Sequence, residues 1–111
     1  MNVAIVSYGT GNIGSLFLAL ETFNINYYLA ESLADLIKSD AIIFPGVGHF
    51  TNAANNLENS GLKKYIVKLI KEGIPTLGIC LGFQLLTLSS EESNEFKGLG
   101  LLSCATVRLK V

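Results

Sequence analysis

Metal-ligating and redox-active side chains are scarce in this sequence. It holds one histidine and two cysteines among 111 residues, and Cys80 and Cys104 match no metal-binding spacing. No metal centre is expected from such a set. Cys104 reads as a small core residue, and Cys80 as a reduced thiol of a cytoplasmic protein. An excess of one charge sign is lacking too. Eight basic and nine acidic residues leave a formal charge of −1, which gives nucleic acid no basic footprint. Apolar runs are broken by glycine or charge well short of the ~20 residues that span a bilayer, so no membrane segment is expected. Met1 leads directly into Val3-Ala4-Ile5-Val6 without a basic stretch or a cleavage site, so no signal peptide is expected either. Repeats, linkers and low-complexity tracts are missing. What remains is 50% hydrophobic and 15% charged, the balance of one globular domain with a modest core.

The hydrophobic pattern alternates between the periods of strand and helix. Residues 2–7 form an apolar run of central-strand length. Ile13, Leu16, Phe17 and Leu20 then share one helical face. Residues 26–30 read as a second strand, and Ser32 is placed to cap a short helix through Ile37. A third strand, 41–44, ends at Pro45-Gly46. Residues 51–57 are polar and Asn-rich, a weak helix at best. Leu62, Tyr65, Ile66, Leu69 and Ile70 make an amphipathic stripe with lysines on the solvated side, closed by Gly73 and Pro75. Residues 74–79 read as a fourth strand and 83–88 as the start of a helix. Residues 89–97 form a polar loop. Residues 105–111 alternate like a strand exposed on one side and are expected as a fifth strand at or near a sheet edge. Strands and helices in this order predict an α/β fold, a doubly wound parallel sheet. Such sheets bind ligands at the carboxyl ends of their strands. Three glycine-rich segments, 9–14, 46–48 and 78–82, each follow a strand and should gather on that rim.

Gly78-Ile79-Cys80-Leu81-Gly82 has the G-x-nucleophile-x-G spacing of a nucleophile elbow. The glycines leave room for a sharp strand-to-helix turn that pushes Cys80 out of the sheet. The Leu81 N–H then points at an oxygen approaching the sulfur, and the helix N-terminus favours negative charge there. The plainer alternative is a buried structural cysteine. A rival motif lies upstream. Gly9-Thr10-Gly11-Asn12-Ile13-Gly14 matches G-x-G-x-x-G between a strand and a helix, with Glu31 about where a ribose-binding acid belongs. A dinucleotide-binding domain is the competing reading. Against it, Tyr8 sets a bulky ring beside the phosphate turn, and a nucleotide leaves 45–50 and 78–84 without a role.

Three segments together resemble the class I glutamine amidotransferases, and among them the glutaminase subunits of imidazole glycerol phosphate synthase. Tyr8-Gly9-Thr10-Gly11-Asn12 resembles the opening Y-G-x-G-N. Pro45-Gly46-Val47-Gly48-His49-Phe50 resembles P-G-V-G-x-F, and Gly78-Ile79-Cys80-Leu81-Gly82-Phe83-Gln84 resembles the class-wide G-I-C-L-G-x-Q. Ser90-Glu91-Glu92 and 98–101 also fall where the family has similar stretches, whereas Ser7 stands where the family usually carries Asp.

The resemblance implies a flavodoxin-like sheet and a glutaminase that needs no cofactor. It implies Cys80 as nucleophile and the backbone N–H groups of Leu81 and of Val47 or Gly48 as oxyanion donors. Gln84, one helical turn after Cys80, would hold the substrate glutamine. Tyr8 and Asn12 would face a cyclase partner that consumes the ammonia, as part of a heterodimer. The family's catalytic His and Glu lie near the end of a longer chain, and this sequence reaches Val111 before any such pair. Residues 1–111 are therefore expected to be the N-terminal part of a single amidotransferase domain, inactive alone, with a non-catalytic fragment that packs on a partner as a further alternative. His49, the only histidine, follows the oxyanion turn and should approach from that side, so it is not expected to be the base.

Overall fold

The computed structural model describes residues 1–9 and 13–110. Asn2–Val6 (β1), Asn26–Ala30 (β2), Ala41–Phe44 (β3) and Thr76–Gly78 (β4) form one sheet in the order β2-β1-β3-β4. Every pairing in it is parallel. The chain starts at β1, moves outward to β2, then crosses to β3 and β4, so the direction of winding reverses between β1 and β3. Crevices at the carboxyl ends of strands beside such a reversal are where open α/β sheets bind ligands.

The helices are Gly14–Thr22 (α1), Leu33–Ile37 (α2), Phe50–Ser60 (α3), Lys63–Lys71 (α4) and Leu81–Leu86 (α5). Residues alternate between the two faces of the sheet. Ala4 and Ile42, in register, face a core shared with Leu36, Phe50, Leu57, Ile66 and Leu85, which draws on α2 through α5. Ile5 and Ile43 face the other side, where Leu16, Phe17 and Leu20 of α1 cover them. Along the register row Ile5, Ile43, Leu77 the exposure climbs from 0% to 6% to 55%. The α1 side of the sheet is thus sealed over β1 and β3 and open over β4.

Most elements lie where the periodicity places them, and Ser32 caps α2 in a reciprocal box with Asp35. Two differ. The Asn-rich stretch is an 11-residue helix and not a marginal one. Phe50, Ala53, Ala54 and Leu57 are buried at i, i+3, i+4 and i+7, and Asn52, Asn55 and Asn59 face out. Packing of that stripe outweighs the poor helix propensity of asparagine.

The expected fifth strand is the second difference. Only Ala105–Thr106 (β6) is extended in a ladder, and it pairs in parallel with Ser89–Ser90 (β5) in a separate two-stranded sheet. Val107 and Leu109 are 60% and 85% exposed, so their alternation covers no core. The preceding stretch is committed elsewhere. The N–H groups of Leu99, Gly100 and Leu101 donate to the carbonyls of Leu85, Thr87 and Leu86, taking up the unpaired end of α5.

Candidate active site

Cys80 is the N-cap of α5, separated from β4 by Ile79 alone, with φ 54° and ψ −118°. Only Asn24 shares a positive φ among the described non-glycine residues, and asparagine tolerates that region where cysteine does not. A side chain held there stores strain on the order of 1–3 kcal/mol, so the surroundings must impose the turn. Several hydrogen bonds do so. The β3–β4 ladder runs past the end of β4, with the Ile79 N–H donating to the Phe44 carbonyl at 3.0 Å and the Leu81 N–H to the Gly46 carbonyl at 3.2 Å. The Gly82 N–H closes back on the Ile79 carbonyl at 3.0 Å, and the Gln84 N–H on Cys80 at 3.1 Å.

Glycine is required inside this knot. A Cβ at Gly82 would overlap the Phe44 carbonyl, and one at Gly46 would run into the Tyr8 hydroxyl and the Gly82 nitrogen. Cys80 itself is exposed, and so is Cys104, which is therefore not the small core residue that the sequence suggests. Cys80 lines a cavity of about 300 Å³ with Pro45, Gly46, Val47 and Ile79, opposite Ile13 and Leu16 of the α1 side. The elbow and the 45–48 turn therefore meet, at the carboxyl ends of β3 and β4.

One expected donor is occupied. The Leu81 N–H is held by the Gly46 carbonyl, so an oxygen of the chain sits where an oxyanion would have to be bound. That carbonyl and the Val47 N–H belong to the same planar peptide and point opposite ways. While the carbonyl faces Leu81, the Val47 N–H faces away. Neither Val47 nor Gly48 donates to a backbone carbonyl of the described residues. Gly48 takes φ +107° in open space, a conformation that leaves this turn free to reorient only with glycine there.

Tyr8 is not on the surface as a partner-facing residue would be. It is 5% exposed, packs its ring 5.4 Å from Phe44 and donates its hydroxyl to the Pro45 carbonyl at 2.7 Å. It holds the turn from below, because a phenol that is buried requires an internal acceptor. Asn12, the other expected interface residue, lies outside the described residues, as do Thr10 and Gly11 of the G-x-G-x-x-G run.

Gln84 lies one turn into α5, half-buried, and its Oε1 is a buried acceptor without a partner among the described residues. It lines a cleft of about 520 Å³ with Ser90, Glu91, Glu92, Thr106 and Arg108. Buried polar atoms are normally paired, so an orphan aimed at a cleft marks a place for a ligand donor. Glu92 and Arg108 put an anion and a cation in the same cleft, which suits a zwitterion. Sequence reasoning assigned neither of them a role. Ser90-Glu91-Glu92 stood out only by family likeness, and Arg108 read as the solvated face of a strand.

His49 is not among the residues lining the Cys80 cavity. Its Nδ1 accepts from the Thr51 N–H at 3.2 Å as the N-cap of α3, and its Nε2 lies 4.0 Å from Glu92 Oε2. Nδ1 is thus taken up by the helix cap, while Nε2, at 4.0 Å, is beyond hydrogen-bonding distance of the carboxylate. A further cleft, of about 890 Å³ between Glu31, Glu58, Lys63 and Tyr65, lies between α2 and the α3–α4 junction and shares no residue with the Cys80 cavity or the Gln84 cleft. Among the described residues no helix is long and apolar enough to cross a membrane, and no group of three His, Cys, Asp or Glu could hold a metal.

Comparison with known proteins bears on the family and the fold. The CobB/CobQ-like glutamine amidotransferase domain matches residues 4–110. The imidazole glycerol phosphate synthase subunit HisH of Bacillus subtilis is 44% identical over 108 residues, which is 97% of this chain and 51% of that protein. The subunit of the same name from Methanopyrus kandleri is 45% identical over 109 residues, 98% of this chain and 54% of that one. A solved glutamine amidotransferase superposes with a TM-score of 0.81 at 23% identity, covering 96% of this chain and 56% of the other, a likeness of fold. The chain spans about half the length of the curated relatives it matches.

Proposed function

We propose, from the premise that this chain belongs to the CobB/CobQ-like glutamine amidotransferase family, that residues 1–111 carry the nucleophile half of a glutaminase site. They form the N-terminal part of a single class I amidotransferase domain. The observation that carries this reading is Cys80, an exposed cysteine in a strained positive-φ turn between β4 and α5, against the 45–48 turn. Membership in this family sets the dinucleotide reading aside.

The chemistry follows from that placement. The Cys80 thiolate adds to the side-chain amide carbon of glutamine, and the carbonyl oxygen becomes an oxyanion. The C–N bond then breaks, ammonia leaves with the proton it requires, and a thioester remains. Water adds to the thioester through a second oxyanion, releasing glutamate and the thiol. Each oxyanion needs fixed donors, and losing one such donor typically costs about 3–4 kcal/mol of barrier. The Leu81 N–H can serve only once the Gly46 carbonyl turns away, and the same rotation brings the Val47 N–H inward. The arrangement seen here is accordingly an unarmed one, and arming it is a task for a partner.

Gln84 and Glu92 are the residues to receive the glutamine, the amide oxygen of Gln84 and the Glu92 carboxylate both accepting from its α-ammonium. The proton-transfer group is not His49, whose Nδ1 caps α3. It is supplied by a His and Glu outside these 111 residues. The ammonia passes to a cyclase subunit of imidazole glycerol phosphate synthase in histidine biosynthesis, by analogy with the HisH relatives. By the same family likeness, Asn12 belongs to the surface that meets it.

The test uses the chloroketone analogue of glutamine, which alkylates a positioned thiolate without needing a general base. Labelling should fall on Cys80, be slowed by free L-glutamine and leave Cys104 unmodified. Ammonia release from L-glutamine by these residues alone should be negligible, since general acid–base help is worth about 10²–10⁴-fold. Equal labelling of both cysteines, or ammonia release that survives Cys80→Ala, would refute the assignment.

A further inference from the structure

Glu92 belongs to the loop after α5, yet most of its contacts are at the start of α3. Its Oε2 accepts from the Phe50 N–H at 2.8 Å, its carbonyl accepts from Thr51 Oγ1 at 3.3 Å, and His49 Nε2 lies 4.0 Å away. Phe50 is fully buried, so the first turn of α3 is anchored from beneath by packing and from above by Glu92. Only Val47, Gly48 and His49 separate Phe50 from the Gly46 carbonyl that holds the Leu81 N–H. The turn is thus pinned at both ends, by Leu81 on one side and by Glu92 on the other. Between the pins, Gly48 at φ +107° offers little resistance of its own.

We propose that Glu92 is a positioning residue that sets the orientation of the Gly46–Val47 peptide through the start of α3. This rests on reading the turn as the oxyanion loop. Glu92 also lines the cleft with Gln84 and Arg108, and its side chain is 46% exposed there. A cationic group entering the cleft competes with the Phe50 N–H for the same carboxylate. Occupancy of the cleft is thereby felt at the peptide beside Cys80, with Glu92 as the link. Ser90 supports the link, since its hydroxyl accepts from the Glu92 N–H at 3.2 Å and fixes the loop from which the carboxylate reaches.

Amide hydrogen exchange by NMR tests this without any turnover. The reporters are Phe50, Leu81 and, as a remote reference, Ile42, whose N–H donates to the Pro75 carbonyl at 2.9 Å. Glu92→Ala should speed exchange at Phe50 and also at Leu81 by about fivefold to tenfold, the range of a lost capping contact, with Ile42 unchanged. Glu92→Gln keeps an acceptor and should return Leu81 close to the unsubstituted rate. Thr51→Val removes only the weaker tie, should give the same ordering at smaller amplitude, and decides the matter if the alanine variant does not fold. Faster exchange confined to Phe50 would reduce Glu92 to a local cap and overturn the proposal. A uniform rise that includes Ile42 would overturn it as well. Failure here leaves the chloroketone labelling of Cys80 untouched, so the two readings fail separately.

Discussion

Gly82→Ala sets two effects of opposite sign against each other. Gly82 is the second residue of α5, and in a helix alanine is better than glycine by about 1 kcal/mol, so propensity alone predicts a more stable protein. The structure predicts the reverse. A Cβ at this position would overlap the Phe44 carbonyl oxygen and lie 2.6 Å from the Phe44 carbonyl carbon and 2.9 Å from that of Pro45. These are main-chain atoms of β3 and the adjoining turn, so no side-chain rotation relieves the clash. Overpacking typically costs about 1–3 kcal/mol, and a backbone-to-backbone collision belongs at the upper end or beyond. The net expectation is a loss of about 2 kcal/mol or more. At roughly 4 °C per kcal/mol for a chain of this size, the midpoint of thermal unfolding should fall by about 8 °C. Gly61→Ala is the control. Nothing lies within 4 Å of its Cβ position, and its φ of +74° imposes only conformational strain, on the order of 1–2 kcal/mol. Urea unfolding with an unchanged slope should rank the unsubstituted chain above Gly61→Ala and Gly61→Ala above Gly82→Ala. Because separating α5 from β3 loosens the elbow, chloroketone labelling of Cys80 in Gly82→Ala should slow as well. An unfolding midpoint for Gly82→Ala equal to or above that of the unsubstituted chain would mean that β3 does not press against residue 82. The packing that strains Cys80 would then be wrong.

Two further outcomes are expected. β4 is a free edge among the described residues, and Leu77 and Phe83 are 55% and 49% exposed beside it, so the 111 residues should self-associate as concentration rises and Leu77→Lys should suppress this; sedimentation showing equal association in both would refute the role of that edge. Asp35 accepts from the N–H groups of Glu31 and Ser32 and from the Ser32 hydroxyl, which holds its carboxyl below the ordinary value of 3.8 in the folded protein. A depressed folded pKa contributes stability that is present above the unfolded value and lost as pH falls through the folded one. Asp35→Ala should therefore lower the unfolding midpoint at pH 7, with the gap to the unsubstituted chain closing as pH drops below about 4, and a gap that stays constant down to pH 2 would contradict the capping box.

The order of strands and helices, the parallel sheet, the Ser32 cap and the elbow around Cys80 were all legible in the sequence by itself. Each rests on local chemistry: hydrophobic period, a capping oxygen, glycines at fixed spacing. α3 was underestimated because its stability comes from Phe50, Ala53, Ala54 and Leu57 meeting the sheet and from Glu92, a capping residue 42 positions away. Tyr8 follows a strand on the rim, and nothing in its neighbours announces that its ring turns inward against Phe44 and Pro45. The 105–111 alternation carries the right period for a strand, but a period does not choose a partner, and β6 is paired by the loop at 89–90. Whether the Leu81 N–H is free was likewise decided only in three dimensions. A glycine pair permits a peptide to face either way. The orientation is set by which carbonyl the folded sheet brings alongside, and here the β3–β4 ladder brings that of Gly46.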